Sequence, residues 1–191
     1  CGPRYSITRS VPYDRPNTTM SVFQMCDECI KEYHEPKDRR FHAQPNACAQ
    51  CGPQTTIVTN HESRVTGQNP IERAIGLLKD GKIVAVKGLG GFHIACDAAN
   101  EDTVRLLRER KRKSNKPFAL MAPDIESIKR YCEVSDQEKK LLLSNKRPVA
   151  LLKKHKEFNL PDAVSPNNRY AGFMLPYTPL HYLLFYHPLP H

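Results

Sequence analysis

The sequence predicts an α/β or α+β fold in two parts. A small, irregular, cysteine-stapled domain occupies residues 1–58. After a polar linker at 59–69, an α/β domain with a twisted mixed sheet occupies residues 70–191. Three observations carry this. Short apolar runs alternate with amphipathic stretches from Pro70 onward, as strands alternating with helices do. No such periodicity appears before residue 58, where Cys, Pro, Arg and aromatics dominate. That same stretch contains two Cys-x-x-Cys pairs.

In the second part, PIERAIGLLKDGK has Pro70 in a first helical turn, apolar residues at Ile71, Ala74, Ile75 and Leu78, and a stop at Gly81. IVAVKG then reads as a short buried strand, and GLGGFHIACDA as a glycine-rich turn leading into a second. Asn100 caps a helix over EDTVRLLRERKRK, with acids in its first turn and cations at its end. KPFALMAP is an apolar strand, DIESIKRYCE and SDQEKKLLLS are helices opening on Asp and Ser, and PVALLKK is a strand. GFMLPYTPLHYLLFY is a Pro-x-x-Pro turn opening an apolar helix.

A chain of 191 residues accommodates one ordinary domain and a small one. No apolar run approaches the roughly 18 residues of a membrane span, and no signal or transit peptide is visible. The chain opens on Cys rather than Met and stops on FYHPLPH, so it reads as a piece of a longer polypeptide. A net charge of +9 suits nucleic acid, nucleotide phosphates or an acidic protein surface, and equally a lysine-rich solvated exterior.

Four of the seven cysteines, Cys26, Cys29, Cys48 and Cys51, form C-x2-C-x18-C-x2-C. That spacing supplies the four thiolates of a tetrahedral zinc site, closed to water and therefore structural. It places the chain in a reducing cytosol, against a secreted disulfide scaffold. An aperiodic segment of this size cannot offset its ordering entropy by apolar burial, so a metal staple is expected. Cys1-Gly2-Pro3-Arg4 repeats the pattern of Cys51-Gly52-Pro53-Gln54, which makes Cys1 the last ligand of a truncated second site. Two pairings are open: tandem, with the four complete cysteines on one metal, and interleaved. Tandem is the favoured one. His34 and His42 are spare donors expected to pack or to face solvent, and Cys96 and Cys132 lack metal spacing and read as buried thiols.

In KGLGGFHIACDA, the glycines, Gly90 and Gly91 among them, expose backbone amides that can approach phosphate oxygens, and Lys87 adds a point charge. A tight turn explains the same glycines. The run from Arg110 to Pro117 places five cations, Lys111, Lys113 and Lys116 included, at one junction between helix and strand. That is more than the helix macrodipole needs. Tyr177, Thr178 and His181 stand at the Pro-x-x-Pro turn, as pocket lining or as cap and surface residues.

Taken in order, CGPRYSITRSVPYDRPNTTM, the cysteine pairs enclosing DRRFHAQPNAC, KGLGGFHIACDA, RKRKSNKPFALM and MLPYTPLH closely resemble the [NiFe]-hydrogenase maturation carbamoyltransferases, the HypF family. The resemblance covers nearly all of the chain. It implies two HypF-type zinc-finger repeats, of which residues 1–58 hold the end of the first and all of the second, and a YrdC-like domain over 70–191 that is C-terminally incomplete. An acylphosphatase-like domain would precede them and a Kae1-like domain follow. It further implies that ATP and carbamate, released from carbamoyl phosphate with Mg2+ present, give carbamoyl-adenylate. The carbamoyl group then passes to the C-terminal Cys of a HypE partner for cyanide ligand synthesis, in the cytoplasm. The implied carbamoyl-adenylate site takes Lys87, Gly90, Gly91, His93, Lys111, Lys113, Lys116, Tyr177, Thr178 and His181. Lys113 stands where the family's K-x-R element carries Arg, which keeps the charge and loses the bidentate phosphate geometry. The S-x-N element expected after residue 191 is absent, and Met174 falls near an Arg of the tRNA-modifying relatives. The chain alone is therefore expected to be nearly inactive. Two further readings stand beside this one. A zinc-dependent double-stranded RNA-binding module is favoured by the basic charge, and a threonylcarbamoyl-adenylate synthase of tRNA modification is disfavoured by the cysteine pairs.

Overall fold

The computed structural model describes residues 4–59, 69–88, 91–112 and 115–186. They divide between two units, Cys1–Thr56 and Ile57–His191.

The first unit is built with almost no apolar core. Among its described residues only Met20 and Cys29 are buried apolar side chains. A short helix α1 (Arg4–Ile7) leads into 3-10 turns at Arg15–Asn17 and Thr19–Val22, then α2 (Asp27–His34). Polar contacts do the work that burial cannot. The Arg15 guanidinium donates to the carbonyls of Gln44, Asn46 and Phe23 at 2.9, 2.7 and 2.6 Å. Asn46 Nδ2 in turn donates to the Cys29 carbonyl at 2.9 Å. The aperiodic reading of this region missed α2. Asp27 and Glu28 in its first turn and Lys31 and His34 in its last complement the macrodipole, and Cys29 is its one buried residue.

The second unit opens with α3 (Pro70–Lys79), capped by Asn69, whose side chain accepts from the Ile71 amide at 2.9 Å. Gly81, at φ +69°, ends the helix in the left-handed region that glycine tolerates. β1 (Val84–Lys87) and β2 (Phe92–Ala95) form an antiparallel hairpin, closed where the Gly88 amide donates to the Gly91 carbonyl at 2.7 Å. α4 (Glu101–Arg110) follows, with the Asn100 side chain accepting from the Thr103 amide.

The remaining elements are β3 (Ala119–Met121), α5 (Ile125–Lys129), α6 (Asp136–Leu143), β4 (Ala150–Lys153), β5 (Tyr170–Met174) and α7 (Pro179–Tyr186). Ser135 and Glu138 close a capping box on α6. The three later strands form a mixed sheet in the order β3-β5-β4, with β5 parallel to β3 and antiparallel to β4. The register aligns Leu120, Phe173 and Ala150 in one row, with Ala171 opposite Leu152. All five are buried, and they join Ile125, Ile128 and Leu142 from α5 and α6 in one core. On the opposite sheet face Leu151 and Tyr170 remain exposed. β5, the central strand, overlaps at Gly172–Met174 the stretch whose sequence reads as a Pro-x-x-Pro turn opening a helix. No helix among the described residues is long and apolar enough to cross a membrane.

Candidate functional site

Two constellations of reactive side chains emerge, one in each unit. In the first, Cys26 stands at the N-cap of α2, Cys29 lies one turn into it, and Cys48 and Cys51 flank a tight turn. All four sulfurs lie within 4.8 Å of one another. The Cys26–Cys48, Cys48–Cys51 and Cys51–Cys29 separations are 3.7, 3.7 and 3.6 Å. Four thiolates at a Zn–S distance of about 2.3 Å would sit about 3.8 Å apart along the tetrahedron's edges. The residues therefore fit a structural zinc held by one set of four cysteines. Cys1 lies outside the described residues.

The four thiols differ in their environments. Burial, then hydrogen bonds among the neighbouring thiols, pushes Cys29 up to about 12. Backbone hydrogen bonds at Cys48 and Cys26 pull Cys51 down to about 6. The Gln50 amide also donates to the Cys48 sulfur, at 3.3 Å. A divalent cation held by Cys26, Cys29, Cys48 and Cys51 would favour the thiolate form of all four. His34 and His42 pack instead of ligating. The His42 ring stacks on Tyr33 at 5.2 Å and leans on Phe41 at 4.3 Å, and His34 meets Tyr33 edge-on.

In the second unit, three of the residues named from sequence come together. His93 on β2 and His181 on α7 stack with ring centroids 5.7 Å apart and 23° between planes. Tyr177 lies edge-on to His181 at 4.5 Å, and its hydroxyl is 3.3 Å from His93 Nε2. Thr178 is buried and its hydroxyl oxygen accepts from the His181 amide at 3.2 Å, so it caps α7. Burial, reinforced by His93, holds His181 below the ordinary imidazole value. The His181 Nδ1 atom is buried without a hydrogen-bond partner among the described residues.

The other named residues are dispersed. Lys87 ends β1 and its ammonium lies 5.5 Å over the exposed Phe92 ring. Gly91 is exposed at the start of β2. Lys111 follows α4 and Lys116 precedes β3, both exposed, with no hydrogen bond or ring contact to the imidazole cluster among the described residues. Gly90 and Lys113 lie outside the described residues. Of the unpaired thiols, Cys132 is fully buried and Cys96 half-buried. Sequence reasoning also passed over an open surface groove of about 390 Å3 lined by Lys153, Lys154, Lys156 and Arg169 among others, although the run KKHK was its visible trace.

A four-thiolate zinc knuckle and a small mixed-sheet α/β domain with clustered imidazoles define a zinc-stapled, multi-part protein. The comparisons specify which. Residues 25–58 match the HypF finger, and residues 76–189 match the Sua5/YciO/YrdC family, described as telomere recombination. The chain belongs to the Sua5/YciO/YrdC family, in the HypF type that carries this finger ahead of that domain. A carbamoyltransferase HypF from Rhodobacter capsulatus is 50% identical over 96% of this chain, which spans 24% of that relative. The crystal structure of T. kodakarensis HypF is 46% identical, with a TM-score of 0.83, over 97% of this chain and 24% of that one. A full-length HypF in its phosphate- and nucleotide-bound form is 48% identical, with a TM-score of 0.79, over 96% and 24%. The chain thus spans about a quarter of the length of these relatives.

Proposed function

We propose that this chain forms the zinc-stapled and nucleotide-activating part of an ATP-dependent carbamoyltransferase in [NiFe]-hydrogenase maturation. The observation that carries the reading is the coupling, in one chain, of a HypF finger to a Sua5/YciO/YrdC domain, with 50% identity to a carbamoyltransferase across both. A relative in a phosphate- and nucleotide-bound form supports a nucleotide as the ligand.

In this reading a carbamate oxygen attacks the α-phosphorus of ATP. The bond to the β-phosphate oxygen breaks, pyrophosphate leaves, and carbamoyl-adenylate forms. The thiolate of a HypE C-terminal cysteine then attacks the carbamoyl carbon, and AMP leaves with the bonding electron pair. Lys87, Lys111, Lys113 and Lys116, with the amides of Gly90 and Gly91, neutralise and position the phosphates. His93, Tyr177, Thr178 and His181 surround the acyl end. Such groups lower the barrier by positioning and by charge stabilisation. Mg2+ supplies further charge neutralisation on the triphosphate when bound. Acylphosphatase-like and Kae1-like domains of the same polypeptide would supply carbamate and complete the transfer. The zinc site has a structural part, because four thiolates leave no open position for substrate.

The test is carbamoyl-phosphate-dependent exchange of pyrophosphate into ATP, run with the protein at the length of its relatives. Lys111→Ala together with Lys113→Ala should abolish exchange. Undiminished exchange in the double variant would remove these lysines from the site, and no exchange in the parent protein would remove the reading.

A further inference from the structure

Within the carbamoyl-adenylate reading, on which this step rests, we infer that His181 is the specificity-determining residue for the acyl end. Its Nδ1 accepts a hydrogen bond from the carbamoyl NH2 group and thereby tells a carbamoyl from an acetyl adenylate.

The argument starts from an unmade bond. His181 is 4% exposed, and its Nδ1 is the buried side-chain polar atom left without a partner among the described residues. Buried polar groups are nearly always paired, and an unpaired one is destabilising, so this nitrogen calls for a partner that is either a water or a ligand group. The ring is packed on two of its sides. His93 stacks on one side of it, Tyr177 closes edge-on, and the Tyr177 hydroxyl and His93 Nε2 hold each other at 3.3 Å. The backbone is held as well, since the His181 amide donates to Thr178 Oγ1. The aromatic walls thus present one fixed acceptor or donor atom.

Chemistry selects between those two roles. Burial and the adjacent His93 keep the imidazole neutral, so one ring nitrogen carries a lone pair. Every acyl adenylate has a carbonyl oxygen, which cations such as Lys87 can satisfy. Only the carbamoyl group has N–H donors where an acetyl group has a methyl. An acceptor at that point pairs with the carbamoyl NH2 and is left unsatisfied by the methyl, which is how sites built on a hydrogen bond reject the analogue lacking it.

The experiment uses the protein at the length of its relatives and two adenosine 5′-sulfamates, one carrying a carbamoyl and one an acetyl group. Affinities are measured by calorimetry, with AMP as reference. The parent protein should bind the carbamoyl analogue at least about tenfold more tightly than the acetyl one. His181→Phe should bring that ratio close to one with AMP affinity retained, and His181→Asn, which returns an acceptor, should restore much of it. In 15N spectra of histidine-labelled protein, the His181 Nδ1 resonance should move with the carbamoyl analogue and stay in place with AMP. This readout stands even where a variant fails to fold. Equal affinity of the parent for both analogues, or an Nδ1 resonance unmoved at saturation, overturns the inference and leaves the adenylate reading intact. Failure to bind AMP and both analogues overturns the two together.

Discussion

Replacing Cys48 with Ser removes a sulfur lying 3.7 Å from both Cys26 and Cys51, two edges of the tetrahedron at once. Structural zinc contributes about 10–16 kcal/mol, so an even share among four thiolates is about 2.5–4 kcal/mol each and its loss weakens binding roughly 10²–10³-fold. The unit around it has little to fall back on, because its buried apolar side chains among the described residues are Met20 and Cys29. Zinc affinity is read by competition with a chromophoric chelator, and the state of α2 by circular dichroism. The expected result is one zinc held by these four cysteines in the parent protein. Cys48→Ser should lower the affinity by that factor and lose helical signal when the competitor strips the metal. Cys96→Ser, a half-buried thiol outside the cluster, should leave affinity unchanged. Parent-like affinity in Cys48→Ser, or equal losses in both variants, would refute the four-sulfur site.

Adjacent residues of β4 test the core independently. Leu152→Ala, at a fully buried position, should cost about 2–5 kcal/mol in urea unfolding, whereas Leu151→Ala, 68% exposed, should stay within about 0.5 kcal/mol. Similar costs for the two would mean that the sheet face is misassigned. His181 predicts a pH effect. Its folded-state value lies below the ordinary 6.5, so the unfolded chain takes up the proton first. The stability it contributes is fully present above about pH 6.5 and is lost as pH falls through the folded value. His181→Phe should therefore flatten the decline in unfolding free energy as pH falls below about 6.5, and a slope equal to the parent's would contradict the assignment.

The parts of the fold legible in the sequence are those governed by interactions within a few residues. Asn100, Asp124 and Ser135 are recognisable caps because each bonds an amide three residues on, and the structure shows all three bonds. β5 was illegible for the converse reason. YAGFM has a glycine at its centre, and its strand character comes from partners at Ala119–Met121 and Ala150–Lys153, distant in sequence. Residue 172 faces Val149 and Leu151 so closely that a Cβ there would lie 3.1 Å from Val149, a constraint that only the folded sheet reveals. α2 escaped notice because a single buried residue, Cys29, anchors it.

For the sites, residue types were readable and their company was not. The cysteine spacing alone marked four thiolate zinc ligands in two pairs, since each Cys-x-x-Cys is a local spacing. Whether those four sulfurs share one metal was decided by tertiary structure, which brings Cys26 and Cys29 to Cys48 and Cys51. His93, Tyr177 and His181 were each visible as polar residues beside turns. Their stacking joins a hairpin strand to a helix across 84 and more residues, and packing leaves His181 Nδ1 buried and unpaired among the described residues. Local chemistry is written in neighbouring residues, whereas an orphaned buried atom exists only after distant segments have excluded water from it.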